Sequence, residues 1–171
     1  MINTKKERFM KRKRAIRWGM VICWMIVIFM FSSDVAETSN EKSNFIVEII
    51  DAAGVNVESL FKGNIDFFIR KLAHFTEYGI LSVLIYRAVT FEYSVRGAKL
   101  YRNMLYKKSF AISIIITFLY ACTDEFHQLF VNGRDGAMRD VLIDTCGGFI
   151  VLLLITQLPA IRNGIKRMFL K

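Results

Sequence analysis

The sequence predicts an all-α integral membrane protein: a four-transmembrane-helix bundle with an extracytoplasmic amphipathic helix between spans one and two. Three observations lead there. Hydrophobic residues fill 54% of the 171 positions and the mean hydropathy is +0.35, and a soluble domain does not normally gather so much apolar content into long runs. Those runs are four in number, each approaching the length needed to cross a bilayer core. The formal net charge of +9 sits in Lys and Arg at the margins of the runs, where such residues fix membrane orientation. A basic soluble protein would point to nucleic acid, but no recognition motif is present and no nucleic-acid partner is expected. The length fits one domain, so residues 1–171 are read as a single membrane unit.

The first span is placed at about residues 15–33. It follows a dense basic stretch, Lys5, Lys6, Arg8, Lys11, Arg12, Lys13, Arg14 and Arg17, and ends in Ser32-Ser33-Asp34-Val35. A charged start before an apolar run also describes a signal peptide, but no A-x-A-like cleavage site follows. It is read as an uncleaved helix. Residues 34–69 differ in kind: Asp34, Glu37, Glu41, Glu48, Asp51, Glu58 and Asp66 face only Lys42 and Lys62. Phe45, Ile46, Ile49, Ile50 and Ala53 recur there at helical spacing, which predicts a short amphipathic helix lying on the membrane or capping the bundle. The second span is placed at about 72–89, the third at about 110–130, and the fourth at about 141–158, where Pro159 ends it.

Orientation follows from the loops. The N-terminal stretch, the segment carrying Arg96, Lys99, Arg102, Lys107 and Lys108, and the tail with Arg162, Lys166, Arg167 and Lys171 are all basic. Segments 34–69 and 131–138 lack that excess. Four spans put every basic segment on one side, which the positive-inside rule makes the cytoplasm. The expected location is therefore the bacterial cell membrane, multi-pass, with both termini cytoplasmic. Cys23, Cys122 and Cys146 fall within the spans and match no zinc or redox spacing. They are expected to be free, buried and inert.

Ionisable residues inside spans cost about 2.5–3.5 kcal/mol at a helix centre on insertion scales, so they usually face the bundle interior and have partners. Here they collect at the outer ends. Arg70, His74 and Glu77 share one face of the second span, and Glu77 lies about 9 Å along the axis from Lys71. Ser113, Thr117, Tyr120, Asp124 and His127 form a polar stripe on the third span, with Gln128 beside its end and Glu125 turned about 100° away. Arg134 sits in the next loop, between Gly133 and Gly136. Arg139, Asp140 and Asp144 begin the fourth span, and Gly147 lets a neighbouring helix approach closely. The structural alternative is plain: Arg70, Lys71 and Arg139 as interfacial anchors, and His74 as a satisfied core histidine. The joint occurrence of His74, Glu77, Asp124, His127, Asp140 and Asp144 favours a functional pocket. His74/Glu77 and Asp124/His127 are ligand types a metal accepts, but HExxH is absent and the nearby cations favour an anion such as phosphate or carboxylate. No metal or cofactor is expected, and no catalytic residue is assigned.

At these residues the sequence resembles the VanZ-like family of bacterial membrane proteins. The matching stretches are Arg70-Lys71-Leu72-Ala73-His74-Phe75-Thr76-Glu77-Tyr78, then Thr123-Asp124-Glu125-Phe126-His127-Gln128-Leu129-Phe130. They continue through Gly133-Arg134 to Arg139-Asp140-Val141-Leu142-Ile143-Asp144-Thr145-Cys146-Gly147-Gly148, and Phe31-Ser32-Ser33 also fits. The resemblance implies four or five membrane helices and a link with resistance to glycopeptide antibiotics of the teicoplanin type. It implies no settled reaction.

The expectation is a cell-envelope protein whose outer polar pocket binds a membrane lipid headgroup, a lipid-linked cell-wall precursor or a lipoglycopeptide, since paired cations and carboxylates suit a zwitterionic or phosphorylated ligand. One alternative is a membrane enzyme acting on such a lipid, with His74 or His127 as general base and Asp124 or Glu77 orienting it. Another is a small ion- or proton-coupled transporter, against which the lack of an inverted repeat or broken helix counts. The oligomeric state is left open.

Overall fold

The computed structural model describes residues 3–33, 65–95, 102–134 and 136–157, together with Phe45, Val47, Ile49 and Ala52. Regular structure among the described residues is helical: α1 (Asn3–Ser32), α2 (Ile65–Val95), α3 (Arg102–Gln128) and α4 (Met138–Gln157). The amphipathic helix expected within 34–69 lies, apart from those four helical positions, outside the described residues. All four helices begin earlier than the apolar runs that reveal them. Good helix formers extend α1 back through its basic stretch and α2 back to Ile65, because a helix does not stop where hydrophobicity does.

The helices alternate in direction. Arg14 near the start of α1 pairs with Glu92 near the end of α2, Nε to Oε1 at 2.5 Å, and the Arg17 guanidinium lies 4.1 Å from the Phe91 ring centre. Further along, the Trp24 indole donates to the Glu77 carbonyl at 2.9 Å. Tyr120 of α3 donates to the Met25 carbonyl at 2.6 Å, so α3 runs parallel to α1. Central α2 packs against α4, α3 and α1, whereas α1 makes only a small contact with α3 and none with α4 among the described residues. Consequently the C-terminal ends of α1 and α3 and the N-terminal ends of α2 and α4 share one end of the bundle. The basic start of α1 occupies the other.

Close approach of α2 and α4 depends on small residues. A Cβ on Gly147 would collide with the Phe75 backbone, and one on Gly79 would sit 2.7 Å from Val151 Cγ2. Ser82 Oγ is 2.9 Å from the Gly148 carbonyl and 2.8 Å from that of Gly79, so a hydroxyl bridges the seam. Between α3 and α4 the chain turns through Gly133, whose φ of 74° is the left-handed region open chiefly to glycine.

The interior joins an apolar cluster that includes Val21, Ile28, Leu81, Ile85 and Val141 to many polar side chains, under an apolar exterior. Ser32, Ser82, Ser109, Ser113, Thr117, Asp124, Glu125, Gln128, Asp140 and Asp144 are buried, while Ile22, Ile26, Ile115, Leu119, Phe126, Leu142 and Leu154 face outward. Two helices, over Thr4–Ser32 and Met104–Gln128, are long and apolar enough to cross a membrane. The cysteines are free as expected, but the expectation of burial fails: Cys23 and Cys146 are exposed and Cys122 only half-buried. Their small apolar side chains sit comfortably on an outward surface of the same character.

Candidate functional site

The end of the bundle where α1 and α3 finish and α2 and α4 begin carries two layers of polar side chains, about one helical turn apart. Lys71, His74 and Tyr78 lie at i, i+3 and i+7 on α2, hence on one face. Asp140 and Asp144 lie at i and i+4 on α4. Since the two helices run the same way, the pairs match in depth.

In the outer layer Lys71 Nζ meets Asp140 Oδ2 at 2.7 Å, and Arg139 Nε stands 3.6 Å from Asp140 Oδ1. Asp140 lies in the first turn of α4, where a negative charge also complements the helix dipole. Arg139 is 69% exposed at its side chain, consistent with an interfacial anchor rather than an inward group. Glu125, expected to point away from the stripe, is nonetheless buried. It faces the α3–α4 turn, where Oε2 accepts the Ala137 amide at 2.9 Å and Oε1 accepts from Gln128 at 3.2 Å. This carboxylate thus closes the loop and satisfies an orphan amide ahead of α4. A Cβ on Gly136 would strike the Glu125 carbonyl, so the loop lies tight on the end of α3.

In the inner layer Tyr78 Oη donates to Asp124 Oδ2 at 3.0 Å. His74 Nδ1 stands 4.0 Å from Asp144 Oδ1, just beyond direct hydrogen-bond reach. The His74 and Tyr78 rings stack with centroids 6.5 Å apart, and the Tyr78 and Tyr120 rings tilt against each other at 6.1 Å. One donor atom from each of His74, Asp124 and Asp144 falls within 4.8 Å of the other two. Lys71, Arg134 and Arg70 are close enough to act electrostatically on His74, as is Asp140. Residues predicted on α2, the end of α3 and the start of α4 therefore do come together, Lys71 with Asp140 in the outer layer and His74 with Asp124 and Asp144 in the inner one.

One residue, His127, departs from that gathering. His127 turns to α1: its ring lies 4.3 Å from that of Phe29, and Nε2 is 3.1 Å from Ser33 Oγ. Ser33 spends its single hydroxyl proton on the Phe29 carbonyl at 2.6 Å, so His127 Nε2 is the donor in this pair. Glu77 is half-buried and offers its carbonyl to Trp24; its side chain feels Asp124 electrostatically. Sequence reasoning omitted Tyr78 and Ser32 from the site. Tyr78 is fully buried and holds Asp124, and Ser32 is fully buried beside the same carboxylate. The available signal was spacing, since Tyr78 stands four residues after His74 and so shares its face.

A family model described as VanZ/LLP1 matches residues 18–161, a span that takes in every residue of this site. No curated protein and no solved structure matches the chain.

Proposed function

This chain belongs to the VanZ/LLP1 family, and we propose that it is a four-span protein of the bacterial cell membrane whose polar end faces outward and binds an anionic headgroup. The ligand classes that fit are a lipid phosphate, a lipid-linked cell-wall precursor or a lipoglycopeptide carboxylate. Binding of this kind would connect the chain to glycopeptide resistance of the teicoplanin type. The observation that carries the reading is the gathering of charge at one end of the bundle: Lys71 on Asp140, with Arg70 and Arg134 near enough to act on His74, beside the buried carboxylates Asp124 and Asp144. Four spans are supported by alternating helices with outward apolar side chains, and the orientation by the basic residues gathered at the opposite end.

Two experiments test it. Reporters fused after residues 17, 100 and 165 should read as cytoplasmic, and those at 55 and 134 as external; a cytoplasmic signal at 134 rejects the topology. Arg134→Gln should then weaken anionic-lipid binding and teicoplanin tolerance, with Arg134→Lys keeping part of both. Lys107→Gln, at the basic end, should be silent. Equal behaviour of Arg134→Gln and Lys107→Gln removes the anion reading. A second reading, an enzyme acting on a lipid-linked substrate, is favoured by His74 standing beside Asp144 and Asp124, the residue types of acid–base chemistry.

A further inference from the structure

Buried carboxylates need a counter-charge or hydrogen bonds; Asp124 has the Tyr78 hydroxyl on one oxygen, with Ser32 and Gln128 beside it, whereas Asp144 stands 4.0 Å from the His74 ring. Asp144 is 1% exposed and Asp124 2% exposed. Asp144 Oδ2, Asp124 Oδ1 and His74 Nδ1 are all buried atoms that accept or donate no hydrogen bond. They belong to the three side chains whose donor atoms converge within 4.8 Å, contributed by α2, α3 and α4. Lys71, the nearest ammonium on the same helix face, is already engaged with Asp140 at 2.7 Å.

We propose that His74, Asp124 and Asp144 form a binding site for one divalent transition-metal ion. One imidazole nitrogen with two carboxylate oxygens is a donor set that suits zinc, manganese, cobalt or iron, and suits magnesium and calcium less well. An ion about 2.0–2.2 Å from each donor holds the donors roughly 3–4 Å apart. The widest separation here, 4.8 Å at most, therefore needs to close by about 1–2 Å, within the reach of side-chain rotation. Two carboxylates against one dication leave the cluster neutral, which answers the burial cost. The Tyr78 hydroxyl on Asp124 is the outer partner that orients a metal-bound carboxylate. Three protein ligands leave positions for water or for an anionic oxygen of a bound headgroup. The metal's role towards a ligand rests on the pocket reading; its binding does not. The sequence had weighed a metal on the pairs His74/Glu77 and Asp124/His127 and set it aside for the cations nearby. The structure regroups the donors, taking one from each pair and adding Asp144.

The test uses the full chain in detergent, purified through a tag without histidine and stripped with chelator. Titration with cobalt(II) should give visible d–d absorption saturating at one ion per chain, displaced by zinc(II) and not by magnesium or calcium. His74→Ala and Asp144→Asn should each weaken cobalt binding at least 100-fold, Tyr78→Phe about 10- to 100-fold, and His127→Ala should leave it unchanged. Since a ligand variant can fail to fold, the wild-type stoichiometry stands as an independent readout, beside the folded His127→Ala control. Absence of cobalt bands in the wild type overturns the proposal, as does binding that His127→Ala abolishes or His74→Ala leaves intact. Wild type without metal but with Arg134→Gln defective in lipid binding refutes the metal alone. Metal bound stoichiometrically with Arg134→Gln silent keeps the site and refutes the anion reading alone.

Discussion

Replacing Tyr78 with phenylalanine deletes a single oxygen from a fully buried position and leaves the ring packing untouched. The lost contact is the 3.0 Å hydrogen bond to Asp124 Oδ2. Bonds to charged acceptors are worth about 1.5–3 kcal/mol in water-soluble proteins, whereas side-chain bonds between membrane helices average about 0.6 and reach about 1.7. An expected cost of about 1–2 kcal/mol lies where the two ranges meet. For a chain of this length that lowers the melting midpoint by about 2–8 °C, at about 2–4 °C per kcal/mol. Trp24 reports the transition, because its indole is bonded to the α2 carbonyl one residue before Tyr78. The cleaner quantity is the coupling in a cycle with Asp124→Leu, which removes the acceptor. The double variant should be less destabilised than the sum of the singles by at least about 0.5 kcal/mol. Additive costs would mean that the hydroxyl and the carboxylate do not interact, and the inner layer as described would be wrong.

Other perturbations address the remaining contacts. Gly147→Val forces a branched side chain onto the Phe75 backbone and should cost about 1–3 kcal/mol or more, seen as reduced membrane abundance; an unaffected level would deny the close α2–α4 seam. Lys71→Met removes the closer of two cations from Asp140, whose side chain is 9% exposed, leaving Arg139 at 3.6 Å, and should lower thermal stability by about 1–3 kcal/mol. The exchange Lys71→Asp with Asp140→Lys should recover part of that loss, and no recovery would argue against a direct pair. Glu125→Gln keeps an oxygen for the Ala137 amide and should be mild, whereas Glu125→Ala should cost about 1–3 kcal/mol by leaving that amide unpaired. Equal melting midpoints for the two would remove the loop-closing role.

How much of this was legible beforehand differs between the two kinds of pattern. Apolar runs marked all four helices, and spacing put His74 on one face of α2 and Asp140 with Asp144 on one face of α4. Helix limits were not legible, since basic residues continue a helix as readily as apolar ones, and α1 starts at Asn3 rather than near residue 15. Pairings across helices depend on relative depth and rotation, which a single helix does not encode. That is why Glu125 looked displaced yet turns into the α3–α4 loop, and why His127 looked like a pocket member yet faces Ser33 of α1. Tyr78 was masked by its own chemistry, because an aromatic in an apolar run is usually packing and only its buried acceptor shows otherwise.

Among the described helices α4 comes last, and it brings Asp140 to Lys71 and Asp144 to His74. On the four-span topology proposed above, the first three helices are synthesised with Lys71 still lacking Asp140, and with His74 beside Asp124 but still lacking Asp144. On that topology such an intermediate holds polar groups at membrane depth without those partners, which is costly. The final helix acts as the latch of assembly, converting a nascent liability into a sealed seam. A chain ending at residue 137 should be inserted yet short-lived, with a half-life in pulse–chase well below that of the full chain, and co-expressed α4 should extend it. Persistence of the three-helix fragment at full-length levels would show that the early helices satisfy their charges without it.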